Sequence, residues 1–304
     1  MKFLERSFDK QNQWWKYLIV IVVGFIGGQL LGVLPLLYKI VSSGASFTDI
    51  AGNMNDFTVF GISKNLGLFL MGLPFVVSLI ITVLLIRVFH KRTFAETING
   101  TKKIRFGRIG TGFFMWFVLM MVPFVGDYLM NPDDFVLQFD IVKFIPLFFI
   151  SILIIPLQSG YEEVLFRGYL TQGVAVLTRN RIVAILIPAL IFALLHTPNP
   201  EVGEFGFWMA MPSYLFIGLL LGIIVVLDDG IELAIGIHIA NNLSASLLVT
   251  YESSALQTDA VFKTLNVDPM KDLLLEMVFS AIAVIYFAYK YKWKFNVLLK
   301  KVEV

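Results

Sequence analysis

The sequence predicts an all-α, polytopic membrane bundle of about eight transmembrane helices with a central polar cavity. Three observations predict this fold. Of the 304 residues, 58% are hydrophobic and only 15% are charged, against about 25% in an average soluble domain. Apolar runs of about 20 residues, the length that crosses a bilayer, recur along the chain. A few ionisable residues interrupt these runs, and such residues usually face a bundle interior or a watery cavity.

Eight apolar segments are long enough, or nearly long enough, to be helices of this bundle. The predicted spans are 17–40, 66–89, 110–130, 141–177, 182–196, 207–227, 231–250 and 273–289. Segment 141–177 is far too long for one span. The first span carries Gly24, Gly27, Gly28 and Gly32, a small-residue face that allows close helix packing. We divide the chain into N-terminal helices (1–135), a core of helices four to seven (136–252), and a last helix with a basic tail (253–304).

The basic residues predict the orientation of the chain. Of the 24 Lys and Arg residues, eighteen fall on the side of the two termini, five on the other side, and Arg167 within the bundle. Cytoplasmic connections carry the excess of Lys and Arg, so both termini are predicted to be cytoplasmic in a multi-pass protein of the cell membrane. The net charge of +2 gives no indication of nucleic acid as a partner, and the absence of cysteine excludes a disulfide or a thiol nucleophile.

The segment 159–170, SGYEEVLFRGYL, places ionisable groups in an otherwise apolar run. Glu163 and Arg167 are four residues apart in the favourable acid-first order, so an internal ion pair is one interpretation. That pair leaves Glu162 unexplained. Two adjacent carboxylates in a low-dielectric setting resist being ionised together, which suits one of them to act as a general base. We therefore predict Glu162 as the base and Glu163 as its partner, anchored by Arg167.

The three histidines differ in their surroundings. His90 lies beside Lys91 and Arg92, and we expect it to be a solvated group at the interface. His196 and His238 each lie in an apolar run. His238 and Asn242 are four residues apart and share one helix face, which indicates either a common ligand or a helix-packing network.

The hairpin of helices four and five brings these groups to similar depths. Glu162 lies 17 residues before Arg179, and His196 lies 15 residues after Arg181. At about 1.5 Å per residue, these stretches are roughly 25 and 22 Å long. In an antiparallel pair, the carboxylates and His196 are therefore expected within about one turn of the same level.

Two histidines, two glutamates and an asparagine that converge in a cavity allow two kinds of chemistry. A carboxylate can activate water while His and Asn stabilise the oxyanion. Alternatively, His and carboxylate can bind zinc. The sequence has no HExxH motif and no GxSxG or Ser-His-Asp pattern. The residues alone leave both kinds of chemistry open.

Three motifs in this order resemble those of the CAAX-processing and bacteriocin-processing family of intramembrane proteases, also called CPBP or Abi. The motifs are Glu162-Glu163-x-x-x-Arg167, Phe192-x-x-x-His196 and His238-x-x-x-Asn242. The resemblance covers residues 156–250, which are helices four to seven. It implies an eight-helix fold with a conical cavity open to the cytosol.

The resemblance also implies the roles of the site residues. Glu162 activates the water, while His196, His238 and Asn242 position it and hold the oxyanion. Members of the family are often called metalloproteases, but the resemblance favours a glutamate mechanism without a catalytic metal. It therefore implies that no cofactor is required and that zinc is possible but not favoured.

The expected function is an intramembrane endopeptidase that cleaves a membrane-associated peptide or protein near the cytosolic face. A non-catalytic membrane scaffold or immunity protein of the same fold is the alternative, although the intact motif residues argue against it. A transporter that uses buried carboxylates would predict inverted repeats, and the sequence shows no repeat.

Overall fold

The computed structural model describes residues 3–9, 11–52, 56–101 and 103–303, and its architecture is a helical bundle. Eight helices carry the fold, and they are α1 (Trp14–Ser42), α2 (Lys64–His90), α3 (Phe106–Met130), α4 (Ile141–Thr178), α5 (Arg181–Leu195), α6 (Phe207–Asp228), α7 (Glu232–Leu247) and α8 (Pro269–Tyr291). Short α-helices span Phe47–Gly52, Phe94–Ile98 and Pro200–Phe205. Single 3-10 turns span Glu5–Asp9, Phe57–Phe60, Pro132–Asp134 and Phe295–Leu299.

The predicted all-α membrane bundle is confirmed, with one difference in the lengths of its helices. Each of the eight predicted segments is helical, and among the described residues six helices are long and apolar enough to cross a membrane. The helices α5 and α7 have only 15 and 16 residues. At about 1.5 Å per residue, they are roughly 23 and 24 Å long, shorter than a hydrocarbon core of about 30 Å. The protein is therefore a multi-pass membrane protein, and the described part of its bundle has six helices of spanning length beside the shorter α5 and α7.

Side-chain caps set where several helices begin. The carboxylate of Asp140 accepts hydrogen bonds from the backbone N–H groups of Val142 and Lys143 at the start of α4. The side chain of Asn180 does the same at the start of α5. Such caps satisfy N–H groups that have no partner within the helix. Because α4 ends at Thr178 and α5 begins at Arg181, the two helices form the predicted tight hairpin.

The helix α4 changes its geometry where its charged residues lie. It is α-helical up to Glu163 and continues as a π-helical stretch over Val164–Leu170, which contains Arg167. Stretches of this kind occur often at functional sites, because they rotate the side chains that follow.

Small residues allow two helix pairs to approach closely. Added Cβ atoms at Gly24, Gly28 and Gly32 of α1 would overlap Thr82, Ser78 and Pro74 of α2, which confirms three of the four predicted contact positions. A Cβ at Gly27 would meet only the side of its own helix.

The core pair α3 and α7 also packs backbone against backbone. Gly112 of α3 faces the Leu233 carbonyl, and Gly236 of α7 faces the Ile109 carbonyl. This contact fixes the position of the helix that carries His238 and Asn242.

The two ends of the bundle are built differently. At one end, a three-stranded sheet in the order β1-β3-β2 joins the connections, with β1 Phe135–Leu137, β2 Val249–Thr250 and β3 Phe262–Thr264. The pair β1–β3 is antiparallel, and the pair β2–β3 is parallel. The opposite end holds both termini, since the Val302 N–H donates to the Arg179 carbonyl and Arg181 pairs with Glu5. We refer to these as the sheet end and the terminal end.

Buried polar residues close the terminal end. The Gln172 amide donates to the backbone carbonyls of Phe3 and Glu96, and it accepts from Arg92. Glu232 is fully buried and pairs with Arg105. This end is therefore a packed polar network.

His90 corrects one expectation from the sequence. It is 0% exposed instead of solvated, and its ring nitrogens contact the Gln11 carbonyl and the Tyr169 hydroxyl. The N-terminal residues that cover His90 are remote in sequence, so the neighbouring Lys91 and Arg92 were misleading.

Candidate active site

The two adjacent carboxylates have different surroundings. Glu163 is 0% exposed, whereas Glu162 is 7% exposed and lines a cavity. Consecutive residues on a helix point about 100° apart, so one carboxylate faces into the packed bundle and the other faces the cavity. The geometry thus separates the two acids in the way that the sequence analysis expected.

Glu163 is held by an arginine one turn further along α4. Arg167 Nη1 lies 2.9 Å from Glu163 Oε1, and the arginine is 1% exposed. Its guanidinium also lies 4.3 Å from the ring centroid of Phe192, and its Nη2 lies 3.4 Å from the Gly218 carbonyl oxygen. The ion pair that the sequence allowed is present, and it leaves Glu162 to other partners.

His238 connects α7 to both carboxylates. Its Nδ1 lies 2.8 Å from Glu163 Oε1, and its Nε2 lies 3.6 Å from Glu162 Oε2. A carboxylate accepts hydrogen bonds, so we assign the Nδ1 proton to the bond with Glu163. The second oxygen of Glu162, Oε2, is buried and has no hydrogen-bond partner. Glu162 therefore presents an unoccupied acceptor next to the imidazole.

Gln158 links Glu162 to the asparagine on α7. The Gln158 amide nitrogen donates to Glu162 Oε1 over 2.7 Å, and its carbonyl accepts from Asn242 Nδ2 over 3.0 Å. The sequence analysis missed this residue, although Gln158 lies four positions before Glu162 in an apolar run and so shares its helix face. Asn242 also lies 3.4 Å from the Ser159 hydroxyl.

His196 lies at the end of α5 and lines the same cavity. Its Nδ1 lies 2.7 Å from the Phe192 carbonyl oxygen, which can only accept, so Nδ1 carries a proton. The ring packs against Phe192 and Tyr214, with centroids 4.3 and 4.6 Å away. Asn199 donates to the Tyr214 hydroxyl over 2.8 Å. Tyr214 is the second site residue that the sequence analysis missed, because its role depends on how α6 packs against α5.

The predicted residues meet around one cavity of about 650 Å³. Glu162, His196, His238 and Asn242 line it, while Glu163 and Arg167 lie behind its wall. Most of the other deep lining residues are apolar, among them Phe25, Phe75, Ile154, Ile155, Phe166 and Phe192. A cavity of this size, with few polar groups on an apolar wall, is typical of a ligand or substrate site.

We place the mouth of the cavity at the sheet end, because connecting segments line the cavity there. Its lining residues come from three connecting segments, 56–64, 198–201 and 251–257. Glu201 accepts hydrogen bonds there from the Tyr251 hydroxyl and the Ala255 N–H. Burial raises the pKa of the Tyr251 phenol, and the neighbouring Glu201 carboxylate raises it further. Tyr251 therefore remains a neutral hydrogen-bond donor at the mouth.

This placement creates a conflict between two expectations from the sequence. The charge pattern predicted cytoplasmic termini, and the family resemblance implied a cavity open to the cytosol. In the structure the mouth and the termini lie at opposite ends of the bundle. At most one of the two expectations can hold.

Ser246 and the possible metal ligands also bear on the chemistry of the site. Ser246, which follows Asn242 by one turn, is buried and hydrogen-bonded to Ser151 over 2.7 Å, and it does not line the cavity. In the part of the chain that the structure describes, no group of three or more His, Asp or Glu residues is arranged to hold a metal ion. The prediction that no cofactor is required stays a prediction.

Comparison with known proteins adds a family to this geometry. Residues 141–244 match the family model of the type II CAAX prenyl endopeptidase Rce1-like proteins. The uncharacterized protein YyaK of Bacillus subtilis (strain 168) is 26% identical over 287 residues, which cover 92% of this chain and 95% of the relative. No solved structure matches. The match to the family model contains all the motif residues and confirms the resemblance that they predicted: residues 141–244 are similar to the Rce1-like family.

Proposed function

We propose that this protein is an intramembrane endopeptidase that hydrolyses a peptide bond in a membrane-associated peptide or protein. One observation carries the proposal most strongly. Glu162 lines an apolar cavity, and its oxygen Oε2 is buried beside His238 without a hydrogen-bond partner. Gln158 links the other oxygen of Glu162 to the amide of Asn242. The Rce1-like family indicates a CAAX-type protease, which agrees with this arrangement.

Glu162 acts as the general base in this proposal. Its Oε2 takes a proton from a water molecule as the water oxygen attacks the carbonyl carbon of the scissile peptide bond. The C–O bond forms, and the carbonyl electron pair moves to the oxygen to give a tetrahedral oxyanion. When the oxyanion collapses, the C–N bond breaks, and Glu162 returns the proton to the leaving amine.

The histidine tautomers divide the remaining tasks. Both Nδ1 atoms are engaged, that of His196 with the Phe192 carbonyl and that of His238 with Glu163. In the neutral rings each Nε2 is therefore an acceptor, which can hold the attacking water by its O–H. A neutral ring in this tautomer cannot donate from Nε2. We therefore assign the oxyanion to the amide of Asn242, through the N–H that is not bonded to Gln158 and has only a 3.4 Å contact with the Ser159 hydroxyl.

Glu163 and Arg167 act as positioning residues. They do not line the cavity, and they hold the His238 ring through Glu163 Oε1. A group fixed in this way needs little reorganisation during the reaction, which is how enzymes gain much of their rate.

The substrate class follows from the setting of the cavity. Its walls lie within a multi-pass membrane protein and are mostly apolar, so they suit the apolar side chains of a peptide at the bilayer. The bilayer of the cell membrane and a membrane-associated polypeptide are thus the proposed partners. The mechanism requires neither zinc nor any other cofactor.

The proposal is tested with the purified full-length protein in detergent. The substrates are a library of peptides with apolar termini, each carrying a fluorophore and a quencher that cleavage separates. Wild type is compared with Glu162→Ala and with Glu252→Ala, which removes an exposed carboxylate at the sheet end. We expect cleavage by wild type and Glu252→Ala but not by Glu162→Ala. Equal cleavage by all three would remove Glu162 as the base. If Glu162→Ala also restored a deletion phenotype fully in cells, a scaffold role would replace catalysis.

A further inference from the structure

The position of the cavity mouth relative to the basic residues indicates the side from which a substrate enters. The mouth is formed by connections at the sheet end, and both termini lie at the terminal end. The terminal end is closed, since Phe3, Arg92, Gln172 and Glu232 there are each no more than 2% exposed. A peptide can therefore reach Glu162 through the sheet end but meets packed residues at the terminal end.

The basic residues of the described chain concentrate at the closed end. Contacts place most of the arginines there. Arg6 bonds to the Gly100 carbonyl, Arg92 bonds to Gln172, and three more pair with acids, namely Arg105, Arg108 and Arg181. Three of the basic residues assigned to this side, Lys2, Lys10 and Lys102, lie outside the described residues.

The sheet end has few basic residues. Five lysines of the described chain lie there. Lys64, Lys263 and Lys271 pair with Asp259, Glu252 and Asp127, and the other two are Lys39 and Lys143. Lys and Arg in short connections mark the cytoplasmic side of a membrane protein. The closed terminal end is therefore cytoplasmic, and the mouth faces away from the cytoplasm.

We infer that the substrate enters the cavity from the non-cytoplasmic face of the membrane. The scissile bond then belongs to an extracytoplasmic or outer-leaflet segment of a membrane-associated polypeptide, not to a cytosolic tail. The location of the scissile bond rests on the proposed endopeptidase function. The side of the membrane on which the mouth opens is inferred independently of that function.

Cysteine labelling tests the side of the mouth directly, because the chain has no cysteine of its own. Two exposed leucines form a matched pair, Leu265 at the sheet end and Leu299 at the terminal end, with exposures of 63% and 81%. A third variant, Gln257→Cys, places a thiol on the wall of the mouth. Each full-length variant is expressed in bacterial cells and treated with a membrane-impermeant maleimide, before and after permeabilisation.

We expect Leu265→Cys and Gln257→Cys to be labelled in intact cells and Leu299→Cys only after permeabilisation. The opposite pattern for the two leucine variants would overturn the inference. Labelling of Leu265→Cys without Gln257→Cys in intact cells would also overturn it, because the mouth would then be closed to the outside. Cleavage of the peptide library is measured on the same cysteine variants with Glu162 intact, which separates the two results: the expected labelling pattern without detectable cleavage would refute the endopeptidase and leave the orientation standing.

Discussion

His238 Nδ1 lies 2.8 Å from Glu163 Oε1, and this contact joins the two halves of the candidate site. Arg167 donates to the same oxygen over 2.9 Å. One carboxylate oxygen thus holds a cation from its own helix and an imidazole from α7. Glu163 organises the site from behind the cavity wall, while Glu162 faces the cavity.

The first prediction separates the roles of the two glutamates. Glu162→Gln removes the base and should lower the cleavage rate by roughly 10²–10⁴-fold with little change in thermal stability. Glu163→Gln leaves Arg167 buried without its anion, which should cost about 3–5 kcal/mol of stability. Cleavage rates and thermal unfolding in detergent measure the two effects. Equal losses of stability for both variants would contradict this division.

Two residue pairs of the site could be predicted from the sequence because helix geometry alone determines them. Residues four apart share a face, so Glu163 with Arg167 and His238 with Asn242 needed no knowledge of packing. The contact between His238 and the carboxylates depends on how α7 crosses α4. The lengths of the hairpin helices gave the depths of the carboxylates and His196 only, so they could not predict this crossing.

The structural facts that the sequence analysis missed depend on contacts between distant segments. Tyr214 packs on His196 because α6 lies against α5, and no spacing along the chain encodes that contact. His90 is buried by residues near the N-terminus. The open end of the cavity is set by three connections that are separated widely in sequence.

The second prediction concerns Gln158, which is hydrogen-bonded to both Glu162 and Asn242 and so fixes their relative positions. Gln158→Leu removes both hydrogen bonds and replaces the amide with an apolar side chain of similar size. Misplacing a catalytic group by about 1 Å can cost 10²-fold in rate, so we expect kcat to fall by up to about that factor. KM should change little, because Gln158 acts through its neighbours. A change confined to KM would instead make Gln158 a substrate-binding residue.

The third prediction tests the contact between His196 and Tyr214. Tyr214→Phe keeps the ring and should retain most of the activity. Tyr214→Ala removes the ring contact, which is worth about 0.5–1.5 kcal/mol, or roughly two- to ten-fold in kcat/KM. Kinetics of both variants on one peptide provide the comparison. If Tyr214→Phe lost as much as Tyr214→Ala, the hydrogen bond from Asn199 would be the important contact.

The fourth prediction concerns metal ions. In the proposed mechanism Glu162, His196, His238 and Asn242 carry out every step, so prolonged dialysis against a chelator should leave kcat/KM unchanged. A zinc peptidase treated in parallel serves as the control for metal removal. Loss of cleavage after dialysis that zinc restores would replace this mechanism with a metal-dependent one.

The fifth prediction links helix packing to the site. A Cβ at Gly236 would overlap the Ile109 carbonyl oxygen, a backbone atom that cannot rotate away. Gly236→Ala must therefore push α7 from α3, and overpacking of this kind costs about 1–3 kcal/mol. Since His238 and Asn242 lie on α7, we expect cleavage to fall along with thermal stability.

Gly126 on α3 provides the matched control for this substitution. No atom lies within 4 Å of the Cβ position at Gly126, so Gly126→Ala makes the same chemical change in open space. It should leave stability and cleavage near wild type. If Gly236→Ala were as stable and as active as Gly126→Ala, the close crossing of α3 and α7 would not set the position of His238, and the site would owe its geometry to the contacts of α4 alone.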